Sequence, residues 1–329
     1  MSGGLDSILA VALLLKQGVK IIGLHFNHPL CSVPDRPDRV KQAVGDLIHD
    51  PGLEVRQVDM GDEYEEIVRH PRFGRGTGMN PCIDCHAFML AKAAGMMKEL
   101  GASFIITGEV LGQRPMSQHR QALDLIERHT NLKGKLLRPL SALLMEPTDA
   151  ENSGLIERSK LLDIKGRGRG RQIQLAREFG IENYPAPAGG CMLTDRNFAD
   201  RLEDAFDHLP SPLEHPEIEL LKIGRHYRLP SGAKVVIGRE AFENERIEQV
   251  APRKYSRISP SNFPGPSAVI IGGSDDDLRL TASAILHFSP KAGSEPIIKL
   301  IDANGIESDV MPFRPFNYPD FACFSVGAL

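Results

Sequence analysis

Residues 2–7 read Ser2-Gly3-Gly4-Leu5-Asp6-Ser7 and stand directly before an apolar stretch of helical character. Small residues let backbone N–H groups approach phosphate oxygens closely, and the helix that follows offers its N-terminus to an anion. Ser2 and Ser7 add hydroxyl donors, while Asp6 is placed to hold Mg2+ or to orient an attacking group. A glycine-rich turn with a Ser/Asp helix cap has the same sequence signature. Sulfur is the second chemistry in the chain. Cys82 and Cys85 form a C-x-x-C at the mouth of a helix, and Ala188-Gly189-Gly190-Cys191 puts a third cysteine after a Pro/Gly-rich turn. A helix N-terminus lowers thiol pKa, which suits either metal binding or sulfur transfer. The pair alone admits a dithiol redox couple, half of a zinc site or a set of cluster ligands. A zinc site needs a fourth ligand, which His86 or a residue near Cys191 would supply. Three thiolates leave one iron of a [4Fe–4S] cluster open for hydrosulfide. In a persulfide mechanism Cys191 or Cys82 carries the sulfur and another cysteine closes a disulfide. Cys31 and Cys323 belong to no motif and read as structural or incidental.

These groups need elements to position them. Ile8–Lys16 reads as an apolar helix closed at Gln17-Gly18, and Val19–Phe26 as a strand of buried character. Asp38–His49 has the pattern of an amphipathic helix and Leu53–Val58 of a second strand, with residues 62–70 helical again. A helix rich in Ala, Met and Leu is expected over Cys85–Leu100, and a third strand over Phe104–Thr107. Strands alternating with helices predict α/β architecture with a doubly wound parallel sheet and ligands at the strands' C-terminal ends. A strand is expected to precede a loop of this kind, so its place would be upstream of Met1. The segment Ile105–Gln118 then leaves the third strand carrying Gly108, Glu109, Gln113, Ser117 and Gln118. Beyond the linker-like 207–216 the pattern changes to a smaller α+β domain. It has a hairpin over Lys222–Ile237, a strand at Val269–Ile271 and a helix at Leu278–His287. The expected organisation is therefore 1–206, linker 207–216, and 217–329.

The chain has 329 residues and a net charge of −4, so no global excess of positive charge marks a nucleic-acid binder. Local patches must supply any such contact. Lys165, Arg167, Arg169 and Arg171 alternate with glycine, a spacing that tracks phosphates without steric obstruction, although a solvated loop has the same composition. No apolar run approaches 18 residues and no leader is evident, so a cytoplasmic protein without membrane association is expected. In that compartment five cysteines point to metal binding, catalysis or burial in place of disulfides.

The six-residue loop resembles the signature of the PP-loop ATP pyrophosphatase superfamily, whose members activate a carbonyl oxygen by adenylation and release pyrophosphate. Thr107-Gly108-Glu109-Val110-Leu111-Gly112-Gln113, the following Ser117-Gln118 and Leu137-Arg138-Pro139-Leu140 resemble the catalytic domain of the 4-thiouridine synthetase family of tRNA sulfurtransferases. The resemblance implies ATP contacts from Ser2, Gly3, Gly4, Asp6, Ser7, Gly108 and Gln113. Cluster-dependent tRNA thiolation enzymes resemble the arrangement of a C-x-x-C plus one distant cysteine, which implies Cys82, Cys85 and Cys191 as ligands of a [4Fe–4S] cluster. The chain departs from the family in lacking its N-terminal RNA-binding extension and its rhodanese domain. The C-terminal part, at Tyr227–Asn244, at 264–270 and at Ala282–Ala292, resembles the NFACT-R RNA-binding domain, without the Trp-Phe-His run usually seen there. That resemblance implies phosphate contacts from Arg225, Arg228, Lys234 and Arg239.

The expected activity is ATP-dependent thiolation of a tRNA uridine, with Asp6, Cys82, Cys85 and Cys191 as the working residues. The expected product is 4-thiouridine, with 2-thiouridine as the alternative. The cofactors are ATP, Mg2+ and the cluster, or zinc or no metal in its place, and the partners are tRNA and a sulfur donor, sulfide or a cysteine desulfurase. Two rivals use fewer of these features. A ligase that adenylates a small carboxylate ignores the cysteines, and a non-catalytic RNA-binding factor with a degenerate ATP site ignores both. Oligomeric state leaves no trace in the sequence.

Overall fold

The computed structural model describes residues 1–31, 44–47, 49–184, 191–313 and 316–327. The expected helix over Asp38–His49 lies largely outside them. The chain forms two compact units: Met1–Gly76 with Asn80–Met192, and Thr77–Met79 with Leu193–Leu329.

The first unit is built around helix α1 (Leu5–Leu15), which is buried on nearly every side. A helix that is apolar all round belongs in a core, and α1 serves two. Leu5, Ile8, Leu9 and Leu13 pack against Val110, Leu140, Ile164 and Ala176. Val11 and Leu14 face Ile21, Leu137, Ala150 and Ile156. Strands β1 (Ile21–Asn27) and β2 (Leu53–Asp59) pair in parallel with Ile21 opposite Leu53. Helices α2 (Glu63–Arg69) and α3 (Cys82–Met97) follow. Strand β3 (Ile105–Ile106) pairs in parallel with β4 (Leu136–Leu137), and α4 (Arg120–His129) lies between them in sequence. Helices α5 (Asp149–Asn152) and α6 (Gly170–Glu178) complete the unit. The expectation of α/β architecture with parallel pairing is met. Among the described residues, however, the two parallel pairs stay separate and do not join into one doubly wound sheet. Each β3–β4 partner contributes only two residues.

Helix α3 starts three residues before the expected Cys85. Pro81 is its N-cap residue and its carbonyl accepts the Cys85 N–H at 2.8 Å. Asp84 in the first turn accepts the backbone N–H groups of Arg72 and Phe73, both at 3.0 Å. Both cysteines of the C-x-x-C therefore lie in the first helical turn.

The second unit is a six-stranded antiparallel sheet with the order β10-β9-β7-β8-β6-β5. These strands are β5 (Arg225–Arg228), β6 (Lys234–Ile237), β7 (Ser256–Pro260), β8 (Ala268–Ile271), β9 (Ile298–Ile301) and β10 (Glu307–Asp309). Strand alternation assigns each face its own cover. Val235, Ile237 and Ile270 pack with helices α10 (Asp275–His287) and α11 (Tyr318–Ala322). Val236 and Val269 pack with α8 (His215–Leu221) and α9 (Ala241–Val250). Helix α7 (Arg196–His208) precedes α8 within the same unit. The expected hairpin is present as β5 and β6, paired from Arg225 opposite Ile237 to Arg228 opposite Lys234. Among the described residues, no helix is long and apolar enough to cross a membrane.

One close approach ties the first unit together. Leaving β3, the Thr107 N–H donates to Leu137 O at 3.1 Å, and the next residue, Gly108, lies against the start of α1. A Cβ at Gly108 would stand 2.5 Å from Ser7 N and 2.6 Å from the Asp6 carbonyl carbon. Backbone cannot yield as a flexible side chain does. Gly108→Ala is therefore expected to cost about 1–3 kcal/mol, as overpacking does. A lowered thermal midpoint of the first unit would register it; an unchanged midpoint would contradict the contact.

Candidate active site

Gly4 is the N-cap residue of α1 in extended conformation, and no side chain caps that helix end. Gly3 precedes it at φ 69°, in the left-handed region that glycine enters without strain. The Ser7 hydroxyl donates to Gly4 O at 2.9 Å, and Gly4 N–H to Ser2 Oγ at 3.3 Å. The loop thus folds around the first turn of the helix, where Leu5 is buried and Asp6 and Ser7 are half-buried. Gln113 Nε2 donates to Asp6 Oδ2 at 2.7 Å, and Gln172 Nε2 from α6 supports Gln113 Oε1 at 3.3 Å. The other Asp6 oxygen, Oδ1, is buried with no hydrogen-bond partner. An orphaned buried carboxylate oxygen beside an uncapped helix N-terminus fits a triphosphate with its Mg2+. Six of the seven residues expected to contact ATP lie in or against this loop, and Gln113 reaches it through Asp6.

The thiols lie on the other side of the same strand end. Glu109 follows Gly108 and is 4% exposed. Its Oε1 meets His86 Nδ1 at 2.8 Å, and its Oε2 accepts from Arg138 Nε at 2.9 Å and from Thr107 Oγ1 at 3.0 Å. Arg138, the residue after β4 and itself 2% exposed, also pairs with Glu127 of α4. His86 and Cys82 lie close enough for each to shift the other's proton affinity. The charges order themselves along this chain. Burial raises Glu109, yet the Arg138 and His86 charges overcome it and bring the carboxyl down to about 2. Burial opposes the His86 imidazolium, yet hydrogen bonds and charge from Cys82 and Glu109 push it up to about 10. Burial likewise raises Cys82, but His86, the Ser117 hydroxyl and Arg114 together hold the thiol below its ordinary value. The arrangement favours a Cys82 thiolate facing a His86 imidazolium, oriented by a buried carboxylate. A nucleophile, a base and an orienting group in this order make up the general plan of an activated thiol.

Cys85 differs from its neighbour. Burial, partly countered by a hydrogen bond from Tyr64 and reinforced by Cys191, Cys82 and Asp84, pushes its thiol up to about 12. Tyr64 is fully buried and donates to Cys85 Sγ at 3.3 Å while accepting from Cys31 Sγ at 3.1 Å. Cys191 and burial together push the Cys31 thiol well above its ordinary value. Cys191 is near enough to add to the raising of Cys85, and Cys31, which reads from sequence as structural or incidental, reaches the same place through Tyr64. All five cysteines are reduced. The sulfurs expected to bind a cluster are engaged by protein neighbours. Among the described residues no three or more His, Cys, Asp or Glu side chains form a group arranged to hold a metal.

The basic candidates divide by surroundings. Lys165, Arg167 and Arg171 are exposed, and Arg171 pairs with Asp163. Arg169 is half-buried at the N-cap of α6. The run adjoins the segment that leaves β3, since Gly166 N–H donates to Leu111 O at 2.7 Å. In the second unit Arg228 holds Asp204 through two hydrogen bonds of 2.9 and 2.8 Å, and Lys234, 4% exposed, meets the same carboxylate at 2.6 Å. Both are engaged inside the unit. Arg225 stacks over Phe288 at 4.5 Å, and Arg239 is exposed.

Sequence reasoning missed His86, Arg138, Tyr64 and Cys31. His86 stands beside the C-x-x-C and was weighed only as a zinc ligand; Cys31 offered no spacing to read.

These shifts predict a reactivity order. Iodoacetamide at pH 7 should label Cys82 before both Cys85 and Cys31, read by peptide mass spectrometry at short times. His86→Gln should slow labelling of Cys82 by about tenfold or more, because the thiolate loses its counter-charge. Equal rates at Cys82 and Cys85 would contradict the assigned pairing.

Comparison with known proteins agrees with both halves of this description. Residues 1–146 match the family described as Thiamine biosynthesis protein (ThiI), and residues 224–320 match the family described as NFACT protein RNA binding domain. The tRNA-specific 2-thiouridylase MnmA of Nitratidesulfovibrio vulgaris is 35% identical over 122 residues, covering 34% of this chain and 34% of that one. Its counterpart in Cupriavidus taiwanensis is 28% identical over 243 residues, 70% of this chain and 62% of the relative. The Bordetella pertussis protein is 26% identical over 244 residues, 70% and 61%. The chain therefore spans about three fifths or less of the length of these relatives. Among solved structures, the C-terminal part of the fibronectin/fibrinogen-binding protein from Streptococcus suis covers 81% of this chain and 99% of its own. It is 11% identical at a TM-score of 0.26, too low to compare folds. Residues 1–146 form a ThiI-family domain of the PP-loop superfamily, and residues 224–320 an NFACT-type RNA-binding domain.

Proposed function

We propose that this protein thiolates a uridine of tRNA at the expense of ATP, forming 4-thiouridine. One observation carries the proposal. Consecutive residues at one strand end serve both halves of the chemistry, since Gly108 backs the phosphate loop and Glu109 orients His86 against Cys82. The ThiI-family domain supports a sulfur-transfer enzyme, and the thiouridylase relatives support tRNA as its substrate.

The loop of Ser2, Gly3, Gly4 and Ser7 holds the phosphates, with Gly108 closing the approach. Mg2+ beside Asp6 supplies neutralisation of phosphate charge. The uridine carbonyl oxygen attacks the α-phosphorus and pyrophosphate leaves, which converts that oxygen into part of a good leaving group. Cys82 carries a persulfide taken from a donor such as a cysteine desulfurase. The terminal sulfur attacks the activated carbon and AMP departs with the former carbonyl oxygen. Cys191 then attacks Cys82 Sγ, the Cys82 sulfur bonds to Cys191, and the released sulfur stays on the base as a thiocarbonyl. His86, held by Glu109 as an imidazolium, keeps Cys82 ionised while it loads, and the persulfide proton passes to solvent as the site discharges. No step passes through a cluster. RNA is held by Lys165, Arg167, Arg171, Arg225 and Arg239, the basic residues with surface to offer.

A cluster-dependent reaction remains the second reading, favoured by the meeting of Cys82, Cys85 and Cys191 at one place. The two differ in their need for iron. Unmodified tRNA, Mg-ATP and a persulfide donor, incubated with iron-free protein, should give 4-thiouridine by nucleoside mass spectrometry. Cys82→Ala and Asp6→Asn should each lower the yield at least about a hundredfold, the scale lost with a nucleophile or a transition-state contact. A 2-thiouridine peak moves the target carbon; a product that requires reconstituted iron restores the cluster; no thionucleoside under either condition removes the proposal.

A further inference from the structure

The turn between β6 and α9 carries two groups that the second unit does not use for its own packing. Phe242, in the first turn of α9, is 61% exposed and makes no ring contact among the described residues. Arg239, three residues before it, is exposed, and its guanidinium has no hydrogen bond or ion pair among the described residues. A single exposed apolar side chain needs no explanation. What sets this ring apart is the rigidity of its mount and the charge beside it.

Glu243 fixes the mount. Its Oε1 accepts the Gly224 N–H at 3.0 Å and its Oε2 the Arg239 N–H at 2.7 Å. The residue after Phe242 therefore fastens the turn before β5 to the turn after β6. Gly224 is held from its other side as well, since its carbonyl accepts from buried Arg201 at 3.0 Å. Gly238 N–H donates to Ser267 O at 3.0 Å, which ties the same turn to the start of β8. Arg225 completes the group. Its guanidinium lies over the Phe288 ring at 4.5 Å, and its Nη1 donates to Gly238 O at 3.3 Å. Only one of its five N–H donors is thereby used, on the residue next to Arg239. Both Glu243 oxygens are spent on backbone, and Glu240 is exposed and pairs with neither arginine among the described residues. Two guanidinium groups and an exposed ring are thus gathered on one rigid turn, the combination that holds a phosphate and stacks a base.

We propose that Phe242, Arg225 and Arg239 form a site for one unpaired nucleotide of RNA, with the base stacked on Phe242 and its phosphate held by the two guanidinium groups. The inference rests on the reading of these arginines as RNA contacts, and adds the stacking residue and the class of ligand. A paired base keeps both faces inside its own helix, whereas nucleotides in loops and at ends can turn a face outward. The site therefore selects single-stranded over double-stranded RNA without reading sequence, because every base has a face to stack.

The test uses the full chain without ATP, so that binding is read whether or not the protein thiolates tRNA. The probes are a short oligoadenylate carrying a single 5-iodouridine and a blunt RNA duplex of the same length. Wild-type protein should bind the single strand more tightly, and irradiation should attach the iodouridine to the tryptic peptide covering residues 240–246. Phe242→Leu should weaken single-strand binding about tenfold while leaving duplex binding within about twofold, and Phe242→Tyr should bind as wild type does. Arg239→Gln should lower the slope of log affinity against log salt by about 0.7, the effect of one lost phosphate contact on a single strand. No binding of the single strand, equal affinity for the two RNAs, adducts confined to other peptides, or a single-strand affinity unmoved by Phe242→Leu would each overturn the site. The adduct is mapped on wild-type protein, so it decides even where a variant fails to fold.

Discussion

A single buried carboxylate organises the first unit. Glu109 cannot stay ionised inside the protein without partners, and its partners are what assemble the site. Arg138 reaches it from the end of the neighbouring strand, His86 from the first turns of α3, and Thr107 from its own strand. Gly108, the residue before it, presses on the backbone of Ser7 and Asp6. The phosphate loop and the thiolate are therefore registered to each other by two adjacent residues. Removing one partner of such a buried group costs on the order of 3–5 kcal/mol, because the remaining charge is stranded. The same burial that makes the carboxylate costly gives it control over the imidazolium, and through it over Cys82.

Local features were legible in the sequence. The glycine-rich turn at 2–7, the apolar helix α1, the strand at 21–27 and the hairpin at 225–237 each depend on short-range pattern, and each appeared close to its expected place. The C-x-x-C was legible as a motif. What could not be read depended on distant pairing. The His86–Glu109 contact spans 23 positions and exists because α3 and the end of β3 pack together around Ala87, Leu90 and Ile105. Cys31 joins the site through Tyr64, 33 positions away, whose burial no local pattern announces. The doubly wound sheet was inferred from alternation of elements. Alternation fixes the sense of pairing, not how many residues each pair will contribute, and β3 and β4 contribute two each.

The second unit shows why counting basic residues misleads. Arg228 and Lys234 look from sequence like phosphate contacts, yet both converge on Asp204 at the foot of a hairpin. Lys234 lies on a strand whose four residues are all buried. Burial outweighs the attraction of Asp204 and lowers its ammonium to about 8. Positive charge in that position holds the fold. The residues left to meet RNA are those with exposed surface, and with a net charge of −4 their local arrangement matters more than their number.

The account's central claim is that ATP activates the base carbonyl so that a Cys82-borne sulfur can replace its oxygen. The most direct test follows that oxygen. A tRNA transcript carrying 18O at both uridine carbonyls would be incubated with Mg-ATP and a persulfide donor, and the released AMP analysed by mass spectrometry. The account predicts one 18O in AMP for each thiouridine formed and none in pyrophosphate. Thiouridine formed with unlabelled AMP would contradict adenylation of the base.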